Sequence, residues 1–165
     1  MDPQINSLYA NSFRGQLYLR SSTGNIPLRL SRSSDKWNWS FTPQDDWLQA
    51  GGDSDSPVFD FHFDSQTDNR LHYHISLRSQ PLGKKLGISR NGYLGFYRHA
   101  EVIECWKIEP LQLTDQGLLC YLRDHLGQRV GILKDTPHFS GHWIALLNVE
   151  QGKVFPFLLS PITPI

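Results

Sequence analysis

An excess of charge of either sign is missing from this chain. Lys plus Arg and Asp plus Glu number 16 each, so the formal net charge is zero. That balance leaves no basic footprint for nucleic acid or an anionic membrane surface. It also weakens repulsion between copies, so a monomer or a weak homo-oligomer is expected. Cysteine is nearly absent, with Cys105 and Cys120 alone. Neither belongs to a Cys-x-x-Cys pair, which removes zinc-ribbon and thioredoxin-like motifs. Two reduced, buried thiols are expected rather than a disulfide. No apolar run approaches the roughly 18 residues of a membrane-spanning helix, so no membrane span is expected. The start, Met1-Asp2-Pro3-Gln4, has neither a basic nor an apolar leader region. A cytoplasmic protein, or one exported without a cleaved signal peptide, follows as the expectation.

Helical patterning is also scarce. Charged residues make up only 19% of the 165 positions, which is poor for helices with solvated faces. No segment shows a convincing amphipathic helix, and only residues 43 to 50 suggest one short turn after Pro43. The motifs of common enzymes are missing too: no Gly-x-Ser-x-Gly elbow, no phosphate loop, no His-Glu-x-x-His. A thiol–histidine pair built on Cys105 or Cys120 is the remaining nucleophile to weigh. Cys120 alternates with Leu118 and Leu122, which places it on a core face as an inert thiol. The expectation is a protein that is not an enzyme and uses no cofactor.

What is present is self-similarity. Leu19-Arg20-Ser21-Ser22-Thr23-Gly24 returns as Leu77-Arg78-Ser79-Gln80-Pro81-Leu82-Gly83, and again as Leu122-Arg123-Asp124-His125-Leu126-Gly127. An apolar-x-apolar triplet follows each: Leu28-Arg29-Leu30, Leu86-Gly87-Ile88 and Val130-Gly131-Ile132. This reads as a strand, a turn at a glycine with positive φ, and a returning strand. Alternation puts both apolar members of each triplet on one face. An aromatic third strand is predicted at Trp37–Phe41, Tyr93–Arg98 and His142–Leu147. A fourth opens at Val58, Val102 and Val154. The stretch from Thr42 to Pro57 reads as an exposed insertion, and Val149 to Lys153 as a turn around Gly152. Pro156 suggests an edge or bulge. The end, Ser160-Pro161-Ile162-Thr163-Pro164-Ile165, is expected to trail away from the sheet. Arg20, Arg78 and Arg123 hold equivalent places, and each is expected to bond a hairpin carboxylate or carbonyl.

Three four-strand units, each opened by a Leu-Arg hairpin, resemble the β-trefoil superfamily, whose members include ricin-B-type lectins and fascin-like modules. The resemblance implies an all-β fold of about twelve strands in one domain, 1–165, with repeats at about 13–68, 69–114 and 115–160. It implies six strands in a short barrel, three capping hairpins, and binding by loops and shallow surface pockets. The ricin-B motif Gln-x-Trp finds its tryptophan here at Trp37, Trp106 and Trp143, without the glutamine. Lys85-Leu86-Gly87-Ile88 looks closer to fascin-like modules.

Such a module points to a binding function, with a glycan favoured and a protein ligand as the alternative. Sugar binding needs an aromatic platform beside planar hydrogen-bonding groups. Trp37, Trp39, Asp45, Asp46 and Trp47 supply both types within one stretch. Tyr97 marks a second cluster, with Tyr93, Phe96, Arg98 and His99. His142 and Trp143 mark a third, with His138 and Phe139. Each of these also has a plain reading, as strand or turn packing. His72 and His74 share one strand face near His62, but spacing specifies no third ligand, so no metal is expected. Asp53-Ser54-Asp55-Ser56 lacks the closing Glu of a calcium loop.

Overall fold

The first strand follows from its alternation. Phe13, Leu17 and Leu19 are buried while Arg14, Gln16, Tyr18 and Arg20 are half-buried on the other face, the period-two pattern of a sheet with one face on a core. The computed structural model of the chain describes residues 1–31, 47–52, 54–77, 84–97, 104–133 and 144–165. The described chain is all-β apart from one short helix. Helix α1 (Pro3–Tyr9) leads into β1 (Phe13–Ser21) and β2 (Gly24–Leu30). Then come β3 (Leu48–Gly51), β4 (Phe59–Gln66), β5 (Leu71–Leu77), β6 (Lys85–Ile88) and β7 (Leu94–Tyr97). The remainder is β8 (Trp106–Thr114), β9 (Gly117–Arg123), β10 (Gly131–Ile132), β11 (Ile144–Asn148), β12 (Lys153–Val154) and β13 (Phe157–Pro164). Among the described residues no helix is long and apolar enough to cross a membrane.

Six strands pair around a closed antiparallel cycle. Long ladders join β1 to β13, β4 to β5 and β8 to β9, each broken once by a bulge. Short ladders join β1 to β4, β5 to β8 and β9 to β13. A cycle leaves no unpaired edge among its members. Six of the other strands form three antiparallel pairs, β2 with β3, β6 with β7 and β10 with β11, and β12 pairs with β10. These pairs also touch one another. Strand β3 pairs with β11, Trp47 bridges Gly95, and Tyr93 bridges Asn148.

Leu19, Leu77 and Leu122 lie in one buried cluster with Phe59, Phe61, Tyr73, Trp106 and Phe157. Phe13 stacks on Phe61 with ring centroids 4.9 Å apart. Trp106 donates its indole N–H to the Leu86 carbonyl at 2.8 Å, so its polar atom enters the core paired. Cys120 shares the core with Leu118 and Leu122, and both cysteines are free.

The structure corrects five readings. A helix is present: Asp2 accepts from the N–H groups of Gln4 and Ile5, Pro3 begins the first turn, and Ile5 and Tyr9 are buried. The Thr42–Pro57 stretch holds a strand, since Leu48 to Gly51 are all buried between β2 and β11; this also overturns a helical turn reaching residue 50. The strand expected to open at Val102 is not strand at Glu104 and Cys105: β8 begins at Trp106, and residues 102 and 103 lie outside the described residues. The C-terminus is strand as far as Pro164. Strand β13 pairs with β1 from Phe157 to Pro164 but with β9 only from Phe157 to Leu159. Pro161 and Pro164 therefore fall where one side of the strand carries no ladder, the position proline tolerates. The third strand expected at Trp37–Phe41 and the hairpin at residues 78–83 lie outside the described residues.

Candidate functional site

The first hairpin builds a groove. Ser21 stands opposite Gly24, with Ser22 and Thr23 exposed at the tip. Gly24 has φ +138°, a conformation open only to glycine at low cost. The Ser21 hydroxyl donates to the Gly24 carbonyl at 2.9 Å and accepts from the Thr23 N–H at 3.2 Å, which fixes the turn. Asn25 is held twice. Its carbonyl oxygen accepts from Arg20 at 3.0 Å, and its amide donates to Gln116 at 3.2 Å. From the other side, β12 and the residues after it bring Lys153 and Phe155, with the Lys153 ammonium 5.3 Å from the Phe155 ring centroid. The groove between them encloses about 780 Å³. Its floor is apolar, from Leu19, Ile26, Pro27, Ile132 and Phe155. Its rim carries the hydroxyls of Ser21, Ser22 and Thr23, the amide of Asn25 and the ammonium of Lys153.

Two of the residues singled out from the sequence come together elsewhere. Trp47 is half-buried at the start of β3, and its ring stacks on Tyr93 with centroids 5.0 Å apart. Tyr97, half-buried on β7, donates its hydroxyl to the Tyr93 carbonyl at 3.2 Å. Burial pushes the Tyr97 hydroxyl up to about 12, so it is a neutral donor at any ordinary pH. One face of Trp47 is thus taken by a neighbour rather than offered as a platform. Trp37, Trp39, Asp45, Asp46, His142 and Trp143 lie outside the described residues.

A third cluster lies on the outer face of β4 and β5. The Cys105 sulfur is 3.3 Å from Nε2 of His74, and Oδ1 of Asp64 is 3.8 Å from the same nitrogen. A nucleophilic relay needs the thiol on one ring nitrogen and the carboxylate on the other. Here both meet at Nε2, so the trio is not a relay. Burial and the Asp64 carboxylate push the Cys105 thiol up to about 11, while hydrogen bonds from Ser65 and Cys105 hold Asp64 below its ordinary value. The remaining histidines of this face have hydroxyl neighbours: Nε2 of His62 lies 3.3 Å from Ser76, and Nδ1 of His72 lies 3.0 Å from Ser65.

No protein-family model matches the sequence, and no curated protein matches it. The chemistry of these sites therefore has to carry the functional argument.

The groove was not foreseen from the sequence. Ser22 and Thr23 read as hairpin residues, and Asn25 and Phe155 carry no motif. The usable signal was the hairpin glycine, Gly24, which places its polar tip at the surface. What could not be read is that β12 would lie beside it. Of the three equivalent arginines, Arg20 bonds Asn25, and Arg123 bonds the Glu109 carboxylate at 2.6 Å and the Gly127 carbonyl at 2.5 Å. The arginine between them in sequence, Arg78, lies outside the described residues.

Proposed function

We propose that the chain is a β-trefoil recognition module, one domain of three repeats, that binds a carbohydrate without transforming it. The closed cycle of six strands supports the architecture, as do the three additional strand pairs that touch one another. One observation carries the ligand class. The groove beside Gly24 joins an apolar floor containing Phe155 to a rim of three hydroxyls, one amide and one ammonium. A sugar ring presents the complementary surfaces, a C–H face for the aromatic ring and hydroxyls for planar or hydroxylic partners. Asn25 is already oriented by Arg20 and Gln116, so little ordering is lost when a ligand arrives. Among the described residues the rim holds no carboxylate pair of the kind that hydrolyses glycosides.

A glycan array covering neutral and acidic sugars tests the reading, run with the wild type and with Phe155→Ala. Binding by the wild type and its loss in Phe155→Ala is the expected result. Silence of the wild type across the array contradicts it.

A second reading, a protein-binding module, is favoured by Leu126. This side chain is 72% exposed at the tip of the turn between β9 and β10. Covering such a group with a partner removes apolar surface from water, which favours association. A Leu126→Asp variant separates the two readings, because sugar binding in the groove is then unchanged while a protein contact at this tip is lost.

A further inference from the structure

We propose that Asp64, His74 and Cys105 form a surface site for a single zinc-class divalent cation. Asp64 and His74 lie on the neighbouring strands β4 and β5, and Cys105, just before β8, is brought to them by the fold. Their ligand atoms, a carboxylate oxygen, an imidazole nitrogen and a sulfur, all lie within 4.8 Å of one another.

Two features of the sheet position them. The β4–β5 ladder shifts register between Phe63 and Ser65, so Asp64 is the extra residue of a bulge. Bulges re-aim a side chain, and this one turns Asp64 toward His74. The β5–β8 ladder pairs His72 with Lys107 and Tyr73 with Trp106. Continuing that register by one residue sets Cys105 beside His74.

The distances suit a metal. With bonds of roughly 2.0–2.3 Å and tetrahedral angles, nitrogen–sulfur and nitrogen–oxygen pairs around zinc stand about 3.5 Å and about 3.4 Å apart, so binding shifts each side chain by only a few tenths of an ångström. The observed separations from Nε2 of His74 are 3.3 Å to the Cys105 sulfur and 3.8 Å to Asp64. The carboxylate is oriented in advance: Ser65 donates to Oδ2 of Asp64 at 2.7 Å, which leaves Oδ1 facing the histidine. Such outer hydrogen bonds are a regular part of metal sites.

The donor set selects the ion. A sulfur and an imidazole disfavour magnesium and calcium, which take oxygen, and favour zinc and its borderline-soft neighbours. Three protein ligands leave one tetrahedral position for water or for a group from a partner. Asp64 is exposed and the other two are half-buried, so the open position is accessible.

Cobalt(II) provides the test, because a thiolate bound to it gives a near-ultraviolet charge-transfer band. The full chain, treated with chelator and kept reduced without added thiol, is titrated with cobalt. A band that saturates at one cobalt per chain and is displaced by zinc is the expected result. Cys105→Ser abolishes the band, and His74→Ala and Asp64→Asn each weaken binding by more than about tenfold. Absence of the band from the wild type overturns the site, as does its persistence in Cys105→Ser. His74→Ala keeps both thiols and carries the same test independently: unchanged cobalt affinity in that variant also overturns the site.

Discussion

Gly117 lies directly against the carbonyl of Leu159: a Cβ added to Gly117 would stand 2.3 Å from that oxygen. This contact is where β9 meets β13, one of the short ladders that close the six-strand cycle.

The contact yields a comparison of two glycines. Gly117 has φ +143° and Gly24 has φ +138°, so alanine is strained to a similar degree at both. At Gly24 nothing lies within 4 Å of an added Cβ. Gly24→Ala should cost about 1–3 kcal/mol from backbone strain alone. Gly117→Ala adds a backbone clash worth about 1–3 kcal/mol more. Urea denaturation of the two variants measures the difference. Equal losses would mean that β9 and β13 are not packed this closely.

The acid side of the stability curve should depend on Glu109. Burial raises its pKa, but hydrogen bonds from Arg123 and Arg129 and the nearby arginine charges outweigh that and hold it at about 2, against an ordinary value of 4.5. A depressed carboxylate stabilises the fold above its unfolded pKa, and the gain disappears as pH falls through the folded value. The sensitive window is therefore pH 4.5 to about 2. Solvent screening reduces the contribution to roughly 1–2 kcal/mol. Thermal melts across this window should show the wild type losing that much more stability than Glu109→Gln. Parallel curves would remove the arginine clamp from the account.

Thiol labelling should separate the two cysteines. Cys120 is fully buried, with its sulfur 3.7 Å from the Phe157 carbonyl. Cys105 is only half-buried. Alkylation of the native protein followed by mass spectrometry should modify Cys105 alone, with Cys120 reacting after denaturation. Native labelling of Cys120 would contradict its place in the core.

Much of the strand pattern was legible because burial alternates. Phe13, Leu17 and Leu19 announce β1, and Leu71, Tyr73, Ile75 and Leu77 follow the same rule in β5. Strand β3 was missed because it does not alternate. Leu48, Gln49, Ala50 and Gly51 are all buried, so a polar residue and a glycine stand where the pattern asks for contrast. Helix α1 spans only seven residues, too few for a periodicity, although Asp2-Pro3 was its capping signal. The C-terminal strand hid behind its prolines. The groove and the Asp64–His74–Cys105 cluster were illegible for a different reason. Ser22 and Phe155 line one groove, and Asp64 and Cys105 meet, only through contacts between segments far apart in the chain, which no local pattern shows.

The proposal that the groove binds carbohydrate is tested most directly by an amide-resolved NMR titration with pooled soluble oligosaccharides. The expected outcome is a set of saturable shifts confined to residues 19–27 and 153–155. Shifts that gather elsewhere, or a spectrum indifferent to every sugar, would contradict it.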